Sequence, residues 1–118
     1  QLEKSDLIIS YFTQFLKETG LNEEDGKEIF SDYFEYLPDM ISNLKEALKQ
    51  SEFAELKRIA HQLKGSSGNL RLSSIVEILL KLEQSALDEN IDLCSNHFNH
   101  LELELNLYTN SWKSVSGS

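Results

Sequence analysis

Cysteine, proline, glycine and positive charge are all scarce in this chain. Its 118 residues include one Cys, one Pro and five Gly. A single Cys excludes an intramolecular disulfide framework and a zinc site built from several thiolates, and it fits a reducing compartment. Against 11 Lys plus Arg stand 20 Asp plus Glu, a formal net charge of −9. That balance argues against a protein that binds nucleic acid by neutralising phosphates, and against a surface held electrostatically to an anionic membrane. No run approaches the roughly 18 to 20 apolar residues that span a bilayer. No signal-peptide pattern and no Gly-rich nucleotide loop is present. These absences lead to the expectation of a cytoplasmic protein with no nucleic acid and no membrane contact of its own.

What is present is a pattern for helices. The length allows one domain, 1–118, and a 40% hydrophobic content is enough for one core. The opening Gln1 reads as a domain cut from a longer protein or a processed chain. The scarcity of Pro and Gly leaves long segments whose apolar residues recur every three or four positions. A first helix is expected from Ser5 to Thr19, ended by Gly20. Asn22 then caps a second, from Glu23 to Gln50, whose seam is Phe30, Phe34, Leu37, Ile41, Leu44 and Leu48. Pro38 lies inside that seam without breaking its phase, so one long kinked helix is expected. A third helix runs from Glu52 to Leu70. Ser74 with Glu77 reads as a capping box opening the fourth, which carries Leu72, Ile75, Leu79, Leu82 and Ala86. The fifth repeats Ile91, Cys94, Phe98, Leu101, Leu105, Tyr108 and Trp112 at alternating three and four spacing. Short connections between such helices favour antiparallel neighbours. The expected fold is all-α: an antiparallel up-down-up-down four-helix bundle with an additional short N-terminal helix. Its core covers about 23–112, with a polar, flexible tail at 113–118.

The third helix departs from the usual amphipathic pattern. On a wheel of about 100° per residue, Leu56, Ile59, Leu63 and Leu70 cluster nearly opposite His61. The imidazole therefore points to solvent from mid-helix. Lys57, Arg58, Lys64, Gly65 and Gly68 share its face. A glycine inside a helix costs about 1 kcal/mol against Ala, so two on one exposed face leave a surface on which a partner's bulk or backbone can come close. Imidazole is the side chain that titrates nearest neutral pH and offers a nucleophilic lone pair. A neighbouring Lys can offset the charge of a phosphoryl group. The wheel shows no carboxylate cluster for Mg²⁺, so the face suits carrying a phosphoryl group and not binding a nucleotide.

The run His61-Gln62-Leu63-Lys64-Gly65-Ser66-Ser67-Gly68-Asn69-Leu70 resembles the signature of histidine-containing phosphotransfer domains, the helical phosphocarriers of multistep two-component relays. The resemblance extends from Phe30 to Leu107, through Leu37-Pro38 and the helix bearing Leu79, Leu82 and Glu83. It implies that His61 is phosphorylated at Nε2 and that Lys64 stabilises the phosphoryl group. It also implies that Gly65 makes room for a docking receiver domain and that Gln62 borders the contact. Lys57, Arg58, Gly68 and Arg71 complete the expected partner-binding set. The implied partners are response-regulator receiver domains, with a hybrid sensor histidine kinase as a further candidate. Mg²⁺ and catalytic groups come from the partner, so no cofactor and no metal site is expected in this chain. The sequence departs from the family at Arg71, where many members have Gly. The left-handed residue ending the helix is then expected at Asn69, with Arg71 adding positive charge on the Lys64 side.

Other readings weigh against this one. A helical interaction or dimerisation module that never carries phosphate explains the seams but leaves the two glycines beside His61 without a reason. A metal-dependent helical enzyme needs inward-facing Glu and His, and the seams are almost entirely apolar. His97 and His100 are spaced like two ligands on one helix without an evident third, so they read as surface or boundary residues. Cys94 reads as core. Tyr33 and Tyr36 read as surface aromatics in need of a dock, and Glu102 and Glu104 as solvent-facing.

Overall fold

The computed structural model describes residues 4–116, with side chains from Asp6 onward. Helix α1 spans Lys4–Thr19, α2 Glu23–Lys49, α3 Phe53–Asn69, α4 Ser73–Leu87 and α5 Ile91–Ser116. No strand occurs among the described residues. Around the bundle, α2 touches α3 and α5, and α4 also touches α3 and α5, so each long helix packs on two others. The expected all-α four-helix bundle with an extra N-terminal helix is the observed one.

The seams form a single core. Phe30, Phe34, Leu37 and Leu44 from α2, Leu56, Ile59 and Leu63 from α3, Ile75, Leu79 and Leu82 from α4, and Leu101, Leu105 and Tyr108 from α5 all belong to one buried cluster. α2 runs unbroken through Pro38. α1 lies on α5 and α2. There Phe12 and Phe15 pack edge-on to Phe30, and Trp112 stacks on Phe34. Gly26 permits that approach, because a Cβ there would overlap the Leu16 side chain.

The caps explain where the helices stop. Asn22 Oδ1 accepts from Asp25 N at 2.7 Å, and Glu23, Glu24 and Asp25 occupy the positive end of the helix dipole. At the other ends of α2, α3 and α4 the same motif recurs. Glu52 N donates to Ala47 O at 2.9 Å, Leu72 N to Ser67 O at 3.0 Å and Asn90 N to Ser85 O at 3.0 Å. Each is the long hydrogen bond of a Schellman motif. The left-handed residues that make them possible are Ser51 (φ 54°), Arg71 (φ 61°) and Glu89 (φ 53°).

Several sequence expectations are corrected here. α3 runs through Asn69, and the left-handed residue is Arg71. The hydrogen bonds of the motif fix that position, whatever the side chain prefers. Ser74 caps nothing: α4 starts at Ser73 with buried Leu72 before it, and Ser74 Oγ bonds Tyr108 Oη at 2.8 Å. α5 continues to Ser116, so residues 113–116 are helical where a tail was expected; 117–118 lie outside the described residues. Tyr33 is buried, not a surface aromatic. Glu104 is buried as well, with His100 Nε2 3.7 Å from its Oε1.

Candidate functional site

The outer face of α3 is positioned from inside. Leu56, Ile59, Ala60 and Leu63 are buried, and so is Ser67, whose Oγ meets Tyr33 Oη at 2.7 Å. Burial holds the Tyr33 phenol in its neutral form, raising its pKa despite that bond. This bond joins α2 to α3 and fixes the rotation of α3 about its axis. The opposite face, with His61, Gly65 and Gly68, is thereby presented outward, and all three are exposed.

His61 is anchored at one nitrogen. Its Nδ1 lies 3.3 Å from Glu83 Oε2, and its side chain remains 71% exposed. Glu83 Oε1 lies 2.6 Å from Lys64 Nζ, and the Glu83 side chain is only 16% exposed. One carboxylate from α4 thus holds both the imidazole and the lysine of α3. Burial on its own raises the Glu83 carboxyl pKa. Hydrogen bonds from Lys64 and His61 outweigh it and hold the pKa below the usual range, so Glu83 is ionised at neutral pH. An ionised carboxylate only accepts hydrogen bonds, so Nδ1 is the donor in this contact, the tautomer in which a neutral ring carries its lone pair on Nε2.

The expected partner-binding residues do not form one patch. Lys57 and Arg58 border the same shallow depression as His61 and Glu83, and Gly65 sits in open space, since a Cβ added there meets nothing within 4 Å. Arg58 is engaged, bonding both carboxylate oxygens of Glu55 at 2.6 and 3.0 Å. Gln62 lies on the other side of the helix face, lining a groove of about 510 Å³ between α2 and α3 with Tyr36, Met40, Ser66 and Asn69. Gly68, exposed as well, sits at the α4 edge of that face, where an added Cβ would reach Val76 Cγ2 at 4.0 Å. Arg71 departs from the expectation. Its guanidinium bonds Glu18 Oε1 at 2.8 Å and Asn69 O at 2.6 Å and lies over the Phe15 ring. Its charge is directed to α1, not to the Lys64 side.

Glu83 is the member that the third-helix wheel missed, because it arrives from a different helix. The hairpin itself carried a signal. His61 and Glu83 stand eleven residues either side of Leu72, and Gly68 and Val76 stand four either side; residues equidistant from a tight helical turn face each other in an antiparallel pair. Elsewhere, burial lowers the His97 pKa, with Lys81 and His100 adding to the effect. No group of three or more potential metal-ligating His, Cys, Asp or Glu occurs among the described residues. No helix among them is long and apolar enough to cross a membrane.

A protein-family model described as the Hpt domain matches residues 28–110 of the chain, which excludes α1 and includes the whole of α3 and α4. No curated protein and no solved structure matches closely enough to count as similar.

Proposed function

The chain belongs to the Hpt domain family, the phosphocarriers of phosphorelays, and from that premise we propose that His61 is the residue that carries the phosphoryl group. A receiver domain brings an aspartyl phosphate and its own Mg²⁺. His61 Nε2 attacks the phosphorus in line, and the reverse step delivers the group to an aspartate of another receiver. The observation that carries this reading is the imidazole itself: exposed, held at Nδ1 by Glu83 and free at Nε2.

The supporting residues have distinct physical roles. Lys64 shares the carboxylate that holds His61 and supplies a cation to the phosphoryl oxygens. Gly65 keeps the helix surface low beside the imidazole, so a receiver's active site can close over it. Lys57 and Gln62 border that approach from two sides. Tyr36, 71% exposed, offers apolar contact on the α2 side of the groove. Catalysis in such a pair is mostly positioning and charge neutralisation, and the reactive groups are divided between the two proteins.

The test is incubation with a phosphorylated receiver or a small-molecule phosphodonor, followed by intact mass. The wild-type chain gains one acid-labile phosphoryl group. His61→Gln gains none and unfolds at the same denaturant midpoint, because the side chain is exposed and away from the core. Equal labelling of the two proteins would overturn the assignment.

A further inference from the structure

Exposed leucines are ordinary on a protein surface, but α5 sets its own on a face with almost no charge. That face carries Asn96, Asn99, Leu103, Leu107 and Asn110, all exposed, with Leu103 68% exposed. At about 100° per residue these five lie within one stripe. The acidic residues of the same stretch turn away from it: Glu102 pairs with Lys45 of α2 at 3.4 Å, and Glu104 is buried. The outer face of α2 is the opposite case, exposing Glu24, Glu28, Glu35, Asp39 and Glu46. In a chain of net charge −9, two copies repel each other through such a surface. Along the α5 stripe that repulsion is weak.

The stripe is also symmetric in position. From Leu103 it steps four, three and four residues in each direction, to Asn99, Asn96 and Asp92 on one side and to Leu107, Asn110 and Ser114 on the other. An antiparallel pair of α5 helices with a twofold axis at Leu103 therefore sets Leu103 on Leu103, Asn99 against Leu107 and Asn96 against Asn110. At each end, Asp92 of one copy comes level with Ser114 of the other and beside its Lys113, and both charged residues are exposed. The charges at the two ends are thus opposite in sign across the contact.

We propose that the outer face of α5 is a self-association surface that pairs two copies of this chain antiparallel about Leu103. Leucine contact at the axis supplies apolar burial. The Asn96–Asn110 pairs fix the register, as a polar residue does in a helical seam. Asp92 with Lys113 selects the antiparallel arrangement. An isologous contact of this kind closes on itself as a dimer. One helix wide, it belongs to the small interfaces below about 1,200 Å² and is reversible. Among the described residues α3 and α5 share no contact and stand at opposite corners of the bundle, so both His61 faces stay open in the pair. The pairing does not depend on what His61 does.

The test is sedimentation equilibrium of the full chain from micromolar to millimolar concentration. The wild-type mass rises with concentration from 13.5 kDa toward twice that value. Leu103→Glu places two carboxylates against each other on the axis and weakens the dimer at least about tenfold, while its denaturant midpoint at low concentration stays that of wild type. Asp92→Lys and Lys113→Asp each weaken the dimer about two- to fivefold, and the double variant restores it because the charges are exchanged. A wild-type chain that stays monomeric at millimolar concentration overturns the proposal. So does a dimer that Leu103→Glu leaves intact. A double variant as weak as the single ones overturns the antiparallel pairing about Leu103.

Discussion

Glycine is placed differently at the helix ends and on the His61 face, and the contrast separates what folding requires from what docking requires. Glycine takes the left-handed turn only after α1, at Gly20; after α2, α3 and α4 it is Ser51, Arg71 and Glu89 that hold left-handed φ angles, at a cost of about 1 kcal/mol each. Gly65 and Gly68 occupy ordinary helical positions in α3, where the backbone has no need of them and each costs about as much again. Nothing inside the domain explains Gly65, whose missing Cβ would meet no atom within 4 Å. The proposed function supplies a use for it, room for a docking receiver.

The largest test of that contrast is to fill the outer face. Gly65→Leu should slow uptake from a phosphorylated receiver by at least about tenfold, equivalent to roughly 1.4 kcal/mol of lost complementarity. Uptake from a small-molecule donor should stay near the wild-type rate, because the imidazole itself is untouched. Equal slowing with both donors would show that Gly65 serves the chemistry and not the partner. On the inner face of the same helix a small residue answers to an internal neighbour. Ser67→Ala removes the partner of the buried Tyr33 hydroxyl and should cost about 1–3 kcal/mol in denaturant unfolding. A loss well below that would mean the rotation of α3 is set by apolar packing alone. At the helix ends, Glu89→Gly relieves the left-handed strain of an exposed residue. It should stabilise by a few tenths to about 1 kcal/mol, the gain trimmed by the freer unfolded chain, with phosphoryl transfer unchanged.

The parts that the sequence made legible are those governed by periodicity. The seams through Phe30, Leu37 and Leu44 and through Cys94, Phe98 and Leu101 identified the buried faces, and the same spacing put His61 outside. What escaped depends on contacts between helices. Ser74 and Glu77 have the spacing of a capping box, but Tyr108 from α5 takes the serine hydroxyl. Arg71 has no propensity for a left-handed turn, yet the Schellman hydrogen bonds and the pairing with Glu18 hold it there. Tyr33 looks exposed until Ser67 is placed opposite it, and Glu104 looks solvent-facing until α5 is seated in the bundle. Glu83 is hidden for the same reason: its significance comes from symmetry about the turn at Leu72, which no single-helix wheel displays.

The difference between α1 and the rest of the bundle follows the same logic. α1 lies outside the residues that match the Hpt domain, yet it reaches the turn after α3 through Glu18 and Phe15, both on Arg71. Tyr11 Oη also stands 3.3 Å from Ser73 Oγ at the start of α4. The helix that carries His61 is thus closed at its C-terminal end by a helix outside the matched residues, while its outward face is left exposed.

The most direct test of the central claim is heteronuclear NMR of the chain phosphorylated by a receiver, reading which ring nitrogen bears the phosphorus and which bears the proton. The account predicts phosphorus on Nε2 of His61 and a proton on Nδ1. Phosphorus on Nδ1, or on His97 or His100 in place of His61, would contradict it.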